Sequence, residues 1–98
     1  MGKRNSAEIT LESVVQRDPG QEFSMIDDEV VMLSLKNGEY YALNSVASRI
    51  WEIIEKGTVV KEITEILMEE FEVDETTCLK DTLECLYDFR EKELITGA

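Results

Sequence analysis

Cys78 and Cys85, in a chain of 98 residues with no histidine, are the side chains of greatest intrinsic nucleophilicity. A thiol attacks as thiolate, and the usual base that generates it is a neighbouring imidazole. None is available, so the two cysteines read as small core residues. The same shortage excludes a zinc centre, because two thiols without imidazole do not fill four positions. They lie seven residues apart in a predicted helix, about 10 Å at 1.5 Å per residue, too far for a disulfide. The paired acids Asp27-Asp28 and Glu69-Glu70 could share acid–base work only if an apolar pocket raised one pKa. One pair falls at a predicted turn and the other at a helix end, where both stay solvated. No GxGxxG or phosphate loop is present. The sequence therefore predicts a protein that is not an enzyme and carries no catalytic residues, metal or cofactor.

What remains is main-chain chemistry at a sheet edge. Val30-Val31-Met32-Leu33-Ser34-Leu35 reads as a strand, and Lys36-Asn37-Gly38-Glu39 follows it with Asn-Gly, a strong hairpin signal. Glu39–Leu43 is then the returning strand, and Asn44 is placed to cap the next helix. A two-residue loop would set Lys36 opposite Glu39, Leu35 opposite Tyr40, Ser34 opposite Tyr41, Leu33 opposite Ala42 and Met32 opposite Leu43. Glu39–Leu43 closes the meander, so its outer edge offers unpaired N–H and C=O groups to another chain. Adjacent strand residues face opposite ways. One of Tyr40 and Tyr41 points into the helical layer and the other away from it.

Other elements must hold this edge in place. Residues 1–8 read as a flexible N-terminus whose Met1-Gly2 start only loosely fits a myristoylation pattern, and 9–96 as one domain. Glu8–Arg17 is a candidate strand, Asp18-Pro19-Gly20 a turn, Phe23–Ile26 a short strand and Asp27-Asp28 a tight connection. The strand 29–36 is apolar on both faces, so helices cover one face and the N-terminal segment or a partner part of the other. A first helix runs from Ser45 to about Lys56, with Gly57 past its end and Trp51 in the core. Thr58 is the expected cap of a second helix with stripe Val59, Ile63, Ile66, Leu67 and Phe71. Asp74 caps a third helix, Glu75 to about Lys92, whose main stripe is Leu79, Leu83 and Leu86. Cys78, Thr82, Cys85 and Phe89 form a second stripe on its flank, read either as wider core contact or as a groove wall.

Formal net charge is −12, and from Glu69 to Glu93 ten acids face three bases. A chain this acidic cannot present a basic face to phosphates, which argues against nucleic acid. With no secretion signal and no apolar run near 18 residues, the expected location is the cytoplasm, away from membranes.

The run Val-Met-Leu-Ser-Leu-Lys-Asn-Gly-Glu-Tyr-Tyr-Ala-Leu-Asn (31–44), with Ile50-Trp51, Gly57-Thr58 and Glu62-Ile63, resembles the PqqD-like leader-peptide recognition domains. The likeness extends from about Ile9 to Ile95 and is nearest the stand-alone proteins of lasso-peptide biosynthesis, where Ile-Thr-Leu-Glu-Ser (9–13) is also a familiar opening. It implies an α+β, winged helix-turn-helix-like fold: a three- or four-stranded antiparallel sheet followed by three helices. It also implies a function, binding the leader of a ribosomally made precursor peptide and delivering it to a leader peptidase or other processing enzyme. The leader would lie as an added strand beside Glu39, Tyr40, Tyr41, Ala42 and Leu43, against Cys78, Asp81, Thr82, Cys85 and Phe89 of the third helix. Pyrroloquinoline-quinone relatives carry a Pro-Glu-Gly-type turn where this chain has Lys-Asn-Gly, which favours the lasso pathway over that cofactor pathway. The remaining alternatives are a winged-helix DNA-binding regulator, a catalytic subunit, and an adaptor that binds a protein partner and no peptide.

Overall fold

The computed structural model describes residues 8–97. The flexible N-terminus expected at 1–8 lies, apart from Glu8, outside the described residues. Two small antiparallel sheets and three helices enclose one core. Strand β1 (Val14–Arg17) is followed by the meander β2 (Gln21–Ile26), β3 (Glu29–Ser34) and β4 (Tyr40–Ala42). Then come α1 (Ser45–Ile53), β5 (Thr58–Val59), α2 (Val60–Glu70), α3 (Glu75–Glu91) and β6 (Ile95–Gly97). One sheet has the order β2-β3-β4 and the other β5-β1-β6. This is the α+β architecture expected, with its strands divided between two sheets. Strand β1 is shorter than Glu8–Arg17 because Thr10–Ser13 folds into a turn, with Ser13 N–H donating to the Thr10 carbonyl.

Trp51 is the centre of the core. It is 1% exposed and meets Phe23 and Phe89 edge-on, each at 5.8 Å between ring centroids. Edge-to-face contact sets the positive ring rim against the negative ring face. The Arg17 guanidinium lies over Phe23 at 4.8 Å and over Trp51 at 5.3 Å, and donates to the Trp51 carbonyl at 3.1 Å. Thus β1, β2, α1 and α3 converge on one indole.

Several sequence expectations are corrected. The tight two-residue turn with positive φ at both central positions is Asp27-Asp28 (φ 51° and 66°), between the paired residues Ile26 and Glu29. Asn37-Gly38 instead ends a four-residue loop: Ser34 N–H donates to the Glu39 carbonyl at 2.9 Å and Gly38 N–H to the Ser34 carbonyl at 2.8 Å. Gly38 takes φ 72°, and the Asn37 side-chain oxygen accepts from Glu39 N–H at 3.0 Å. The register becomes Leu33↔Tyr40, Met32↔Tyr41 and Val31↔Ala42, two residues from the expected one. An even slip leaves every side chain on its expected face.

Thr58 does not cap α2. It pairs with Val15 as part of β5, and Val59, at the helix cap position, makes no side-chain cap bond. Val60, rather than the exposed Val59, supplies the first buried residue of α2. Helix α1 stops at Ile53, short of Lys56, and the remaining residues before β5 let Arg17 N–H reach the Ile54 carbonyl at 3.0 Å. On α3 the buried face draws on both stripes. Cys78, Thr82, Leu86 and Phe89 are buried, while Leu79 and Leu83 are half-buried. The outer face of the β2-β3-β4 sheet carries no helix, so Ile26, Leu35 and Tyr40 stay exposed.

Candidate functional site

Strand β4 and the start of α1 form one wall of a groove, and α3 forms the other. The groove measures about 640 Å³ and is lined by Tyr40, Tyr41, Ala42, Leu43, Asn44, Ala47, Asp81, Glu84, Cys85, Asp88, Phe89 and Lys92. Strand β4 is the last in its sheet, with β3 on one side and the groove on the other.

The hydrogen-bond phase of β4 follows from its two ends. Leu43 N–H donates to the Val30 carbonyl at 2.9 Å, and the Glu39 carbonyl accepts from Ser34. In an antiparallel pair, bonded and non-bonded positions alternate. Glu39, Tyr41 and Leu43 therefore aim their main-chain groups at β3, while Tyr40 and Ala42 aim theirs outward. The open edge thus presents the N–H and C=O of Tyr40 and Ala42.

Side-chain direction follows the same strand geometry. Tyr41 shares its face with the buried Met32 and is half-buried. Its hydroxyl accepts from Asn37 Nδ2 at 3.0 Å, and the Lys92 ammonium stands 5.1 Å from its ring centroid. Tyr40 faces the other way and is 75% exposed. Tyr41 is thus the inward tyrosine.

The edge is braced from behind by Ser48, which is 1% exposed. Its hydroxyl accepts from Val30 N–H at 2.8 Å and donates to the Leu43 carbonyl at 3.1 Å. One side chain of α1 thereby joins the ends of β3 and β4. Asn44 caps α1 through its side-chain oxygen, which accepts from Ala47 N–H at 2.8 Å. The cap fixes the exit of β4 into the helix. Arg49 then ties α1 to α2 through two bonds to Glu70, at 2.7 and 2.8 Å. That carboxylate holds the guanidinium pKa above its ordinary value.

The opposite wall is α3. Asp74 caps it, accepting from Thr77 N–H at 3.4 Å. Bonds to Thr77 hold the Asp74 carboxyl below its usual pKa. At the other end Glu93 takes φ 59°, and Leu94 N–H reaches the Phe89 carbonyl at 2.8 Å, a closed C-terminal turn. Buried Phe89 and half-buried Cys85 make the groove floor. Burial pushes the Cys85 thiol up to about 12, so it is neutral at physiological pH and offers the groove an apolar surface. Asp81, Glu84 and Asp88 rise on the solvent side as a carboxylate rim.

Of the expected binding residues, Tyr40, Tyr41, Ala42, Leu43, Asp81, Cys85 and Phe89 meet around this groove. Cys78 and Thr82 do not. Both belong to the core, and the Cys78 thiol donates to the Thr64 carbonyl of α2 at 3.6 Å. Glu39 is exposed and stands before β4, its carbonyl turned to Ser34. Asn44, Ala47, Glu84, Asp88 and Lys92 line the groove without having been expected there. An i, i+3, i+7 acidic spacing from Asp81 was the available signal for two of them. The described residues hold no group of three or more potential metal ligands, and none of their helices is long and apolar enough to cross a membrane.

Among curated proteins, none matches the chain. Among solved structures, TbiB1 in complex with the TbiA(beta) leader peptide superposes with a TM-score of 0.78 at 36% identity, covering 85% of this chain and 96% of that one. A lasso peptide synthetase B1 complexed with its leader peptide superposes at 0.73, with 84% and 96% covered; at 23% identity this is a likeness of fold. The family model of coenzyme PQQ synthesis protein D (PqqD) matches residues 29–95, and the chain belongs to that PqqD family.

Proposed function

We propose that this protein binds the leader segment of a ribosomally made precursor peptide by adding it as a strand beside β4. The observation that carries the reading is the open edge itself. The N–H and C=O of Tyr40 and Ala42 face a groove of about 640 Å³ whose far wall is a helix. Main-chain bonds of this kind supply affinity that tolerates sequence variation, and side-chain pockets supply selectivity. Phe89, Cys85, Ala47 and Leu43 offer the apolar pocket, and the carboxylates of α3 offer polar selection.

The 36%-identical TbiB1 forms a complex with a leader peptide, which supports the same class of ligand here. A lasso-peptide precursor is the favoured source, because the Lys36-Asn37-Gly38 loop departs from the turn of pyrroloquinoline-quinone relatives. Binding orders a disordered leader, so a dissociation constant near micromolar is expected from an interface below about 1,200 Å².

The protein acts without chemistry of its own and hands the bound precursor to the leader peptidase of its pathway. The neutral Cys85 thiol and the absence of histidine fit that role. A DNA-binding role is disfavoured because Asp81, Glu84 and Asp88 line the exposed side of α3, where phosphates would have to approach.

Two measurements test this. Fluorescence anisotropy should give saturable, one-to-one binding of a labelled synthetic leader, lost on scrambling its sequence. Cleavage of the full precursor by the pathway's peptidase should accelerate when this protein is added. Equal binding of scrambled and native leaders would overturn the first reading, and an unchanged cleavage rate the second.

A further inference from the structure

The groove is electrically lopsided. Lys92 stands over Tyr41 and bonds Asp88 at 2.7 Å, so these two groove-lining charges offset each other beside the start of β4. Asp81 lies eleven residues earlier on α3, about 16 Å along its axis. It marks the other end, beside Asn44 and Ala47. There Asp81 has no ion-pair partner among the described residues, and Glu84 pairs only with Lys80, at 3.7 Å between largely exposed side chains. Such a pair is weak and readily exchanged. Among the described residues no cationic side chain lines that end, and Lys92 is the only cation lining the groove.

We propose that the groove reads the direction and charge of its ligand: it takes an extended segment whose cationic residue, Lys or Arg, precedes its apolar residues. This deepens the strand-addition reading and rests on it. All pairs in the β2-β3-β4 sheet are antiparallel, and a peptide continuing that pattern runs opposite to β4. It enters at the Asp81–Glu84 end and leaves at the Lys92 end. Sixteen ångströms is about five strand residues at 3.3 Å each. The early residue meets the carboxylates while the following inward residues cover Cys85 and Phe89. An anionic residue at the entry meets two carboxylates across a partly desolvated gap. A reversed peptide brings its cation to Lys92 instead. The antiparallel ladder sets the direction of the strand, and the charge at one end then selects the order of residues along it.

A yeast-displayed library of random 12-residue peptides, sorted on the labelled protein, tests this whatever the sequence of the natural ligand. Parallel sorts use Ala42→Pro, which closes the edge, and the double variant Asp81→Asn/Glu84→Gln, which neutralises the entry. The expected result is a set of peptides that bind the wild type but not Ala42→Pro, enriched in Lys or Arg on the N-terminal side of two or more apolar residues. Reversing that charge to Glu in a selected peptide should weaken wild-type binding about fivefold or more, and binding to the double variant less than about twofold. Edge-dependent peptides with no cationic preference, or with the cation after the apolar residues, overturn this proposal while leaving strand addition intact. Failure to recover any edge-dependent peptide overturns strand addition itself.

Discussion

Proline at position 42 separates the fold from the binding edge. Ala42 and Val31 are directly opposed, and the bonded positions on either side, Leu43 with Val30 and Tyr41 with Met32, leave the Ala42 N–H pointing away from β3. Proline there removes no bond of the sheet, and edge strands accept it in that orientation. The preceding Tyr41 is already extended, as a residue before proline prefers. Fold stability should therefore change by less than about 1 kcal/mol. Binding should suffer more. One net hydrogen bond of about 1 kcal/mol disappears, and the leader carbonyl that met it stays desolvated at a cost of about 1–3 kcal/mol. Together these predict at least tenfold weaker binding. Tyr41→Pro is the paired control. It removes an N–H aimed at β3 and the ring held by Asn37 and Lys92, and should destabilise the fold by about 3 kcal/mol. Urea unfolding followed by Trp51 fluorescence reads stability, and leader anisotropy reads binding. Wild-type affinity in folded Ala42→Pro would refute strand addition, and a stable Tyr41→Pro beside an unfolded Ala42→Pro would refute the register.

Further outcomes follow from the same structure. Cys85→Phe adds a ring to the groove floor without adding charge and should reduce leader binding about tenfold, with an overpacking cost of about 1–3 kcal/mol in the urea midpoint; Lys61→Glu, on the exposed side of α2, should leave binding unchanged. Ser48→Ala leaves the buried Val30 N–H and Leu43 carbonyl without their bridge and should lower unfolding free energy by about 1–3 kcal/mol. The Cys85 thiol has its folded pKa raised from 9.0 to about 12, so its burial favours folding below pH 9 and that contribution fades as pH rises toward 12. Alkaline unfolding curves of Cys85→Ala should be flatter than wild type across that window, and identical curves would show that the thiol is not held neutral.

Local signals were the legible ones. Asn44 and Asp74 sit at helix starts because their short oxygens reach N–H groups three residues on, and no distant contact competes with that. Trp51 was legible as core because it stands among isoleucines at helical spacing. Which strand residues share a face also survived, since an even register slip preserves it, but which face turns inward was not legible. Non-local pairing was not legible. Thr58 carries a good cap side chain, yet its backbone is taken by β1, forty-three positions away in sequence at Val15, and nothing near Thr58 announces that partner. Asn37-Gly38 signals a turn but not its length, which depends on Glu39 reaching back to Ser34. On α3 both stripes are apolar enough to be buried. The choice of Cys78 and Thr82 over Leu79 and Leu83 for the core comes from the close approach of α2, where the Thr64 carbonyl receives the Cys78 thiol. Small residues there let the helices meet, so the two cysteine-bearing positions part company: Cys78 inside, Cys85 at the groove.

The central claim is that Tyr40 and Ala42 bond a second chain through their main-chain groups. Amide hydrogen exchange followed by NMR on the ¹⁵N-labelled protein tests it residue by residue. With a saturating synthetic leader, the Tyr40 and Ala42 amides should slow by an order of magnitude or more, while Tyr41 and Leu43, already bonded to β3, change far less. Exchange at Tyr40 and Ala42 that stays as fast with leader as without it, while other amides respond, would place the peptide elsewhere and contradict the account.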